Sequence, residues 1–138
     1  IKLESKGPLF FVQKRNGLNY HEFDCYKFRS MNLNPKAHIE QVSKNDPRIT
    51  RVGRFLRNTS IDELPQFINV FLGQMSVVGP RPHMVSHTEM YAQRVNKFMV
   101  RHFVKPGITG LAQTKGYRGE VEKETDIINR VKYDIFYM

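Results

Sequence analysis

The sequence has little of several features that would fix its class at once. It contains a single cysteine, Cys25, so a disulfide within the chain is excluded and a reducing, cytosol-facing setting is favoured. No stretch approaches the roughly 18 apolar residues of a membrane-spanning helix, because polar residues and glycine interrupt the densest apolar stretch, 67–78. The chain starts at Ile1 without a signal peptide, and we expect it to be a piece of a longer protein.

What is present suits one folded domain with anionic partners. The length is 138 residues, of which 40% are hydrophobic and 12% aromatic, and this composition is typical of a folded chain rather than a disordered one. Lysine and arginine number 22 against 13 acidic residues, which gives a net charge of +9. Nucleic acid, phosphorylated metabolites and an acidic membrane surface are all compatible with that charge.

The patterning predicts an α+β fold: a mostly helical single domain with a short N-terminal β-hairpin. Two apolar runs, 9–13 and a second within 21–31, flank Asn16-Gly17, a strong hairpin signal. The polar stretch 32–46 is predicted to be a mobile connector or a short helix, and Lys105-Pro106-Gly107 a turn. Helical spacing of apolar residues predicts helices over 49–58, 62–72, 84–102 and 120–137.

The most informative stretch is 48–69, in which arginine recurs every third residue up to Arg57 and is followed by Asp62-Glu63 and Pro65. Proline is tolerated only in the first turn of a helix. Asp62 as N-cap would put Pro65 at the third helical position, whereas Ser60 as N-cap would put it too deep. We therefore predict Asp62 at or near a helix N-terminus, where the helix dipole favours a carboxylate and also phosphate.

Structural roles compete with this interpretation. Asp is a favoured N-cap, Ser60-x-x-Glu63 matches a capping box, and the arginines could form an ordinary solvated face. Their coincidence instead favours a phosphate pocket, in which a carboxylate would bind a metal or attack phosphorus. Adjacent helical residues point about 100° apart, so we expect Asp62 and Glu63 to have separate roles, one as nucleophile or metal ligand and the other in positioning or proton transfer.

Two further arginines lie in stiff or open backbone. Arg81 stands between Pro80 and Pro82, which hold the chain extended and present the guanidinium at low entropic cost. Arg118 lies between two glycines, in Gly116-Tyr117-Arg118-Gly119, which allow close approach to a phosphate. His83 and His87 lack a third ligand for a metal, and Cys25 is expected in the core.

The sequence resembles the bacterial sugar transferase family, the monotopic phosphoglycosyl transferases. The resemblance covers nearly the whole chain in the same order, and Gly116–Glu120 is most similar to the undecaprenyl-phosphate glucose phosphotransferase branch. The matching segments are Lys6–Phe11, Lys27–Met31, Asp62–Gln66, Val78–Pro82, Lys105–Gln113 and Tyr133–Asp134.

The resemblance implies a reaction and its residues. Residues 1–138 would form the catalytic domain, which transfers sugar 1-phosphate from a UDP-sugar to undecaprenyl phosphate and releases UMP. Asp62 would attack the sugar-bearing phosphorus, forming a phosphosugar-aspartate intermediate, and would also help to hold Mg²⁺. Glu63 completes the catalytic pair, and Arg57, Arg81 and Arg118 match the family's phosphate-binding arginines.

The resemblance also implies a place in the cell. We expect the cytoplasmic face of the bacterial inner membrane, an anionic membrane surface facing amphipathic helices, no nucleic-acid partner, and the first membrane step of exopolysaccharide, capsule or O-antigen assembly. Family members have a membrane helix before the block that begins near Ser5 and continue beyond Tyr133-Asp134. A homo-oligomer is left open, and the alternative is a non-catalytic basic module that binds anionic lipid or nucleic acid.

Overall fold

The computed structural model describes all of residues 1–138 and begins with the predicted hairpin. Strand β1 (Phe10–Asn16) pairs antiparallel with β2 (Glu22–Phe28), from Phe10 opposite Phe28 to Asn16 opposite Glu22. Asn16 ends β1, and a 3-10 turn over Leu18–Tyr20 completes the loop, so the predicted hairpin is confirmed.

Helices make up most of the remaining regular structure, and the fold class is confirmed. The α-helices are α1 (Arg51–Asn58), α2 (Gln66–Phe71), α3 (Val85–Arg94), α4 (Leu111–Thr114) and α5 (Glu124–Tyr137), with 3-10 turns at Ile61–Glu63 and Phe98–Phe103. The single helix predicted over 84–102 is divided, because Val95 is extended and Lys97 has a positive φ of 60°. The break lets Val95 and Phe98 both pack in the core.

A second, parallel sheet was not predicted. Strand β3 (Ser76–Val78) pairs with β4 (Gly107–Thr109). The turn predicted at 105–107 was wrong, because Gly107 is already the first residue of β4. The strands approach closely at Gly107, where a Cβ would lie 2.0 Å from the Gly79 nitrogen. The stretch 32–46 contains turns but neither helix nor strand, so the alternative of a short helix was wrong.

Two apolar clusters support the domain. The larger joins α3, the following 3-10 turn and α5 through Tyr91, Val95, Phe98, Ile127 and Val131. The smaller contains Phe23, Met75 and Cys25, which lies in the core as predicted. None of the helices has the length and apolar content to span a bilayer.

Candidate active site

The turn that carries Asp62 and Glu63 differs from the predicted helix start. Ser60 has a positive φ of 59° and makes no capping hydrogen bond, and the 3-10 turn Ile61–Glu63 follows it. Pro65 immediately precedes α2, which begins at Gln66. Asp62 therefore lies just before α2, near a helix N-terminus as predicted, but it is not the N-cap of that helix and the capping box does not form. The proline instead starts the helix, and both carboxylates are free for other contacts.

Glu63 is buried among three cations. Its Oε1 accepts hydrogen bonds from Arg81 Nη2 at 2.6 Å and Lys27 Nζ at 3.2 Å, and its Oε2 accepts one from Arg118 Nη2 at 3.0 Å. Burial raises the pKa of Glu63, but Arg81, Lys27 and Arg118 outweigh it and hold that pKa far below its usual range. Glu63 therefore stays ionised, and of the two roles left open by the sequence its contacts favour positioning over proton transfer.

Asp62 is buried but has no protein partner. Its carboxylate accepts no side-chain hydrogen bond and forms no ion pair. It lines a cavity of about 610 Å³ together with Lys27, Arg57 and Arg81. Burial raises the pKa of Asp62 above its ordinary value, although Lys27, Arg57 and Arg81 oppose the rise. This carboxylate is thus available to a group that enters the cavity.

Three of the five predicted site residues line this cavity. Arg57 and Arg81 line it with Asp62, and Glu63 lies behind them through its bond to Arg81. Arg118 is exposed and reaches the site through Glu63. Arg57 forms no ion pair, and its only polar side-chain contact is with the Met31 sulfur at 3.7 Å.

The arginine stripe that the spacing predicted does not act as one surface. Arg48 also lines the cavity, but its guanidinium is paired with Asp46, with Nη2 at 2.5 Å from Oδ2, and with Glu40 at 3.1 Å. Arg51 and Arg54 are exposed and do not line the cavity. Of the four arginines, only Arg57 both lines the cavity and lacks an ion pair.

A buried ion pair behind the site was not anticipated. Arg101 lies 2.8 Å from the Asp134 carboxylate of α5, and its Nη2 also donates to the Arg81 carbonyl at 2.5 Å. Both partners are about 2% exposed in their side chains. This pair fixes the backbone from which Arg81 reaches Glu63. The matching segment Tyr133-Asp134 was the sequence signal for Asp134, whereas Arg101 lies outside every matching segment.

The cavity is not lined by charged groups alone. Beside the charged groups around Asp62, side chains of β1 and of the 32–46 connector line it, and some of these are apolar or aromatic. Among them, the rings of Phe11 and His38 stack with centroids 5.5 Å apart and planes 18° from parallel. A molecule with a phosphate part and a flat, less polar part fits such a cavity.

Comparison with known proteins shows the family to which the chain belongs. The sequence model of the bacterial sugar transferase family matches residues 1–138. The chain belongs to this family. The UDP-glucose:undecaprenyl-phosphate glucose-1-phosphate transferase of Klebsiella pneumoniae is 52% identical over 139 residues, covering 100% of this chain and 30% of the relative.

Other members of the family are similar over the same stretch. Exopolysaccharide production protein PSS of Rhizobium leguminosarum bv. phaseoli is 46% identical over 143 residues, which are 100% of this chain and 72% of that protein. The UDP-N-acetylgalactosamine-undecaprenyl-phosphate N-acetylgalactosaminephosphotransferase of Aeromonas hydrophila is 42% identical over 140 residues, covering 100% of this chain and 32% of the relative. The chain thus spans less than a third of the Klebsiella and Aeromonas proteins.

Proposed function

We propose that this protein transfers sugar 1-phosphate from a UDP-sugar to undecaprenyl phosphate and releases UMP, with Asp62 as the nucleophile. The observation that carries the proposal is the unpartnered Asp62 carboxylate in a cavity lined by Lys27, Arg57 and Arg81. The names of the relatives support the substrates. The alternative of a non-catalytic basic module receives no support, since it gives no reason for a free carboxylate among cations.

The reaction consists of two displacements at one phosphorus atom. In the first, an Asp62 carboxylate oxygen bonds to the sugar-bearing phosphorus, and the bond from that phosphorus to the bridging oxygen breaks. UMP leaves with the bridging oxygen and the electron pair. In the second, a phosphate oxygen of the lipid attacks the same phosphorus and expels the Asp62 carboxylate. The products are the lipid diphosphate sugar and the regenerated carboxylate.

Charge is the main obstacle that the site must overcome. Two like unit charges 4 Å apart repel by about 4 kcal/mol at an effective dielectric constant of 20. The guanidinium groups of Arg57 and Arg81 oppose that repulsion when a diphosphate enters. Glu63 positions Arg81 and Arg118 by accepting from both, so the cations are held apart in fixed directions before substrate binds.

A divalent cation fits the donor set of this site. Mg²⁺ commonly takes one or two carboxylates from the protein and completes its coordination with substrate phosphates and water. Asp62 offers a carboxylate with no other partner, whereas Glu63 is occupied by three cations. No cluster of three or more His, Cys, Asp or Glu side chains is present. We propose that Asp62 holds Mg²⁺, which neutralises charge on the diphosphate.

We further propose that the protein works at the cytoplasmic face of the inner membrane, in exopolysaccharide, capsule or O-antigen assembly. Its lipid substrate is confined to a membrane. Large apolar side chains are exposed on α2, β3 and the end of α5, and the net charge of +9 suits an anionic surface. The sugar is open among glucose, galactose and an N-acetylated sugar, since the relatives' names differ on it.

Trapping the intermediate tests the proposal. The full-length protein in detergent is given Mg²⁺ and a panel of UDP-sugars beginning with UDP-glucose, and the phosphosugar adduct is located by mass spectrometry. We expect the adduct on Asp62, and UMP release reduced by about 1,000-fold or more in Asp62→Asn. Asp24→Asn removes a surface carboxylate that pairs with Lys14 and should behave as wild type. Ordinary UMP release from Asp62→Asn, or an adduct on another residue, contradicts the proposal.

A further inference from the structure

Arg130 of α5 is a buried cation without an anionic partner. Its residue is 4% exposed and lines the same cavity as Asp62. Its only hydrogen bond runs from Nη2 to the Gly119 carbonyl at 3.3 Å, and its Nε has no partner. No carboxylate lies within 4.0 Å of the guanidinium. The nearby Asp134 is already paired with Arg101 at 2.8 Å.

Such a placement is costly unless an anion arrives from outside. A buried charge is normally paired or replaced by an apolar side chain, because desolvation costs several kcal/mol per ion. Burial lowers the pKa of Arg130 to about 10, with Arg81 and Arg101 contributing to the decrease. Arg130 therefore remains a cation at neutral pH, and Asp134, the carboxylate that acts on its pKa, is already bound to Arg101.

A second unpartnered group lies beside it. His83 is 5% exposed and lines the cavity, and its Nε2 has no hydrogen-bond partner. Burial and the charges of Arg101 and Arg130 hold the pKa of His83 well below its ordinary value, so its ring is neutral and can donate one N–H. Arg81 is a close charge neighbour of both Asp62 and Arg130. Asp62, Arg81, His83 and Arg130 therefore line one cavity, with Arg81 as the shared charge neighbour.

We propose that Arg130, with His83 Nε2, forms a second phosphate subsite for a phosphate monoester. The inference rests on the proposed function. When Asp62 displaces UMP, the bridging oxygen becomes a terminal phosphate oxygen and gains negative charge on the leaving side. In two successive in-line displacements, the second nucleophile approaches from the side that the first leaving group vacated. One subsite therefore serves first the phosphate of UMP and then the phosphate of the lipid.

Comparing UMP with uridine tests the subsite, because the pair differs only in the phosphate. The binding of each to the full-length protein in detergent is measured by calorimetry for wild type, Arg130→Gln and Arg94→Gln. Arg94 is exposed on α3, so its variant removes the same charge away from the cavity. We expect Arg130→Gln to weaken UMP binding by about 10-fold or more and to leave uridine binding unchanged. Arg94→Gln should match wild type with both.

A second arm addresses the acceptor. Under turnover with UDP-glucose, Arg130→Gln should raise the KM for a short polyprenyl phosphate by a similar factor and should slow the initial burst of UMP. A change in the UMP arm alone overturns the shared role of the subsite. Equal loss of UMP and uridine overturns the proposal in favour of a structural role for α5, and a retained preference for UMP overturns it outright.

These outcomes are distinct from failure of the proposed function. If wild type turns over UDP-glucose and Arg130→Gln keeps the full preference for UMP over uridine, only the subsite proposal is overturned. If no adduct forms on Asp62 but Arg130→Gln loses the preference for UMP, the role of Asp62 as nucleophile is overturned and the phosphate subsite is supported. Wild type that binds UMP no better than uridine overturns the subsite directly.

Discussion

Asp62 and Glu63 are neighbours in the chain, but their surroundings give them opposite effects on stability. Glu63 is ionised and neutralises Lys27, Arg81 and Arg118, whereas burial makes ionisation of Asp62 unfavourable. At neutral pH we expect Glu63→Gln to lower the free energy of unfolding by about 3 kcal/mol, because three cations lose their shared partner. Asp62→Asn should leave it unchanged or raise it. Chemical denaturation measures both, with the exposed Glu122→Gln as a neutral control.

The stability difference between each variant and wild type should depend on pH, with opposite signs for the two variants. The folded pKa of Glu63 lies below its ordinary 4.5, so the advantage of wild type over Glu63→Gln is complete above that pH and shrinks as the pH falls. The folded pKa of Asp62 lies above its ordinary 3.8. The advantage of Asp62→Asn is therefore absent below that pH and grows as the pH rises through the folded pKa. Parallel curves for both variants would refute the assignment.

At the residue scale, the sequence predicted which residues lie at the site better than it predicted which residues they contact. The arginine spacing and the acidic pair directed attention to Arg57, Asp62 and Arg81, which line or border one cavity. The occupation of Glu63 by Lys27 and Arg118 was not predictable. Those contacts join residues 36 and 55 positions apart, and only the tertiary fold brings them together.

At the scale of elements, local patterns were reliable and their boundaries were not. The hairpin follows from two apolar runs around Asn16-Gly17. The sequence did not show that Asn16 still pairs with Glu22 and that the loop begins only after it. Pro65 correctly indicated a helix start, yet that helix begins after the proline and not before it. The β3–β4 pair is three residues per strand, too short for any periodicity, and its pairing depends on contacts between distant segments.

Helix α1 carries Arg57 and is fixed to the hairpin by a close backbone contact. A Cβ on Gly53 would lie 1.8 Å from the Ser30 carbonyl oxygen. Helix propensity alone predicts that Gly53→Ala stabilises by about 1 kcal/mol, whereas this contact predicts a loss of about 1–3 kcal/mol. We expect the loss, measured by denaturant unfolding, together with weaker UMP binding because Arg57 shifts with the helix.

A matched substitution in the same helix separates packing from propensity. Arg54→Ala changes the next residue, which is exposed, and should alter the free energy of unfolding by no more than about 0.5 kcal/mol. If Gly53→Ala were as stable as Arg54→Ala, the helix would not be held at the distance that positions Arg57.

On the whole molecule, one connected set of elements carries several exposed apolar side chains. Helix α2 packs against β3, and the Tyr137 hydroxyl of α5 donates to the Val78 carbonyl at 3.0 Å. Phe71 and Phe136 on these elements are 91% and 82% exposed. The apolar surface, defined as the exposed apolar residues of α2, β3 and 136–138, is therefore our expected contact with the bilayer.

Vesicle binding tests this arrangement, because apolar insertion and charge respond differently to salt. We expect Phe71→Ser with Phe136→Ser to weaken binding to mixed phosphatidylethanolamine and phosphatidylglycerol vesicles by about 10-fold or more, measured by co-sedimentation. Added salt should weaken wild-type binding only in part, since screening acts on the lysines and arginines and not on the inserted rings. Ile39→Ser removes an apolar side chain that is 65% exposed and lies outside the apolar surface, and it should bind as wild type. Complete release by salt, or an equal loss in Ile39→Ser, would mean that charge alone attracts the protein and that the exposed rings have another use.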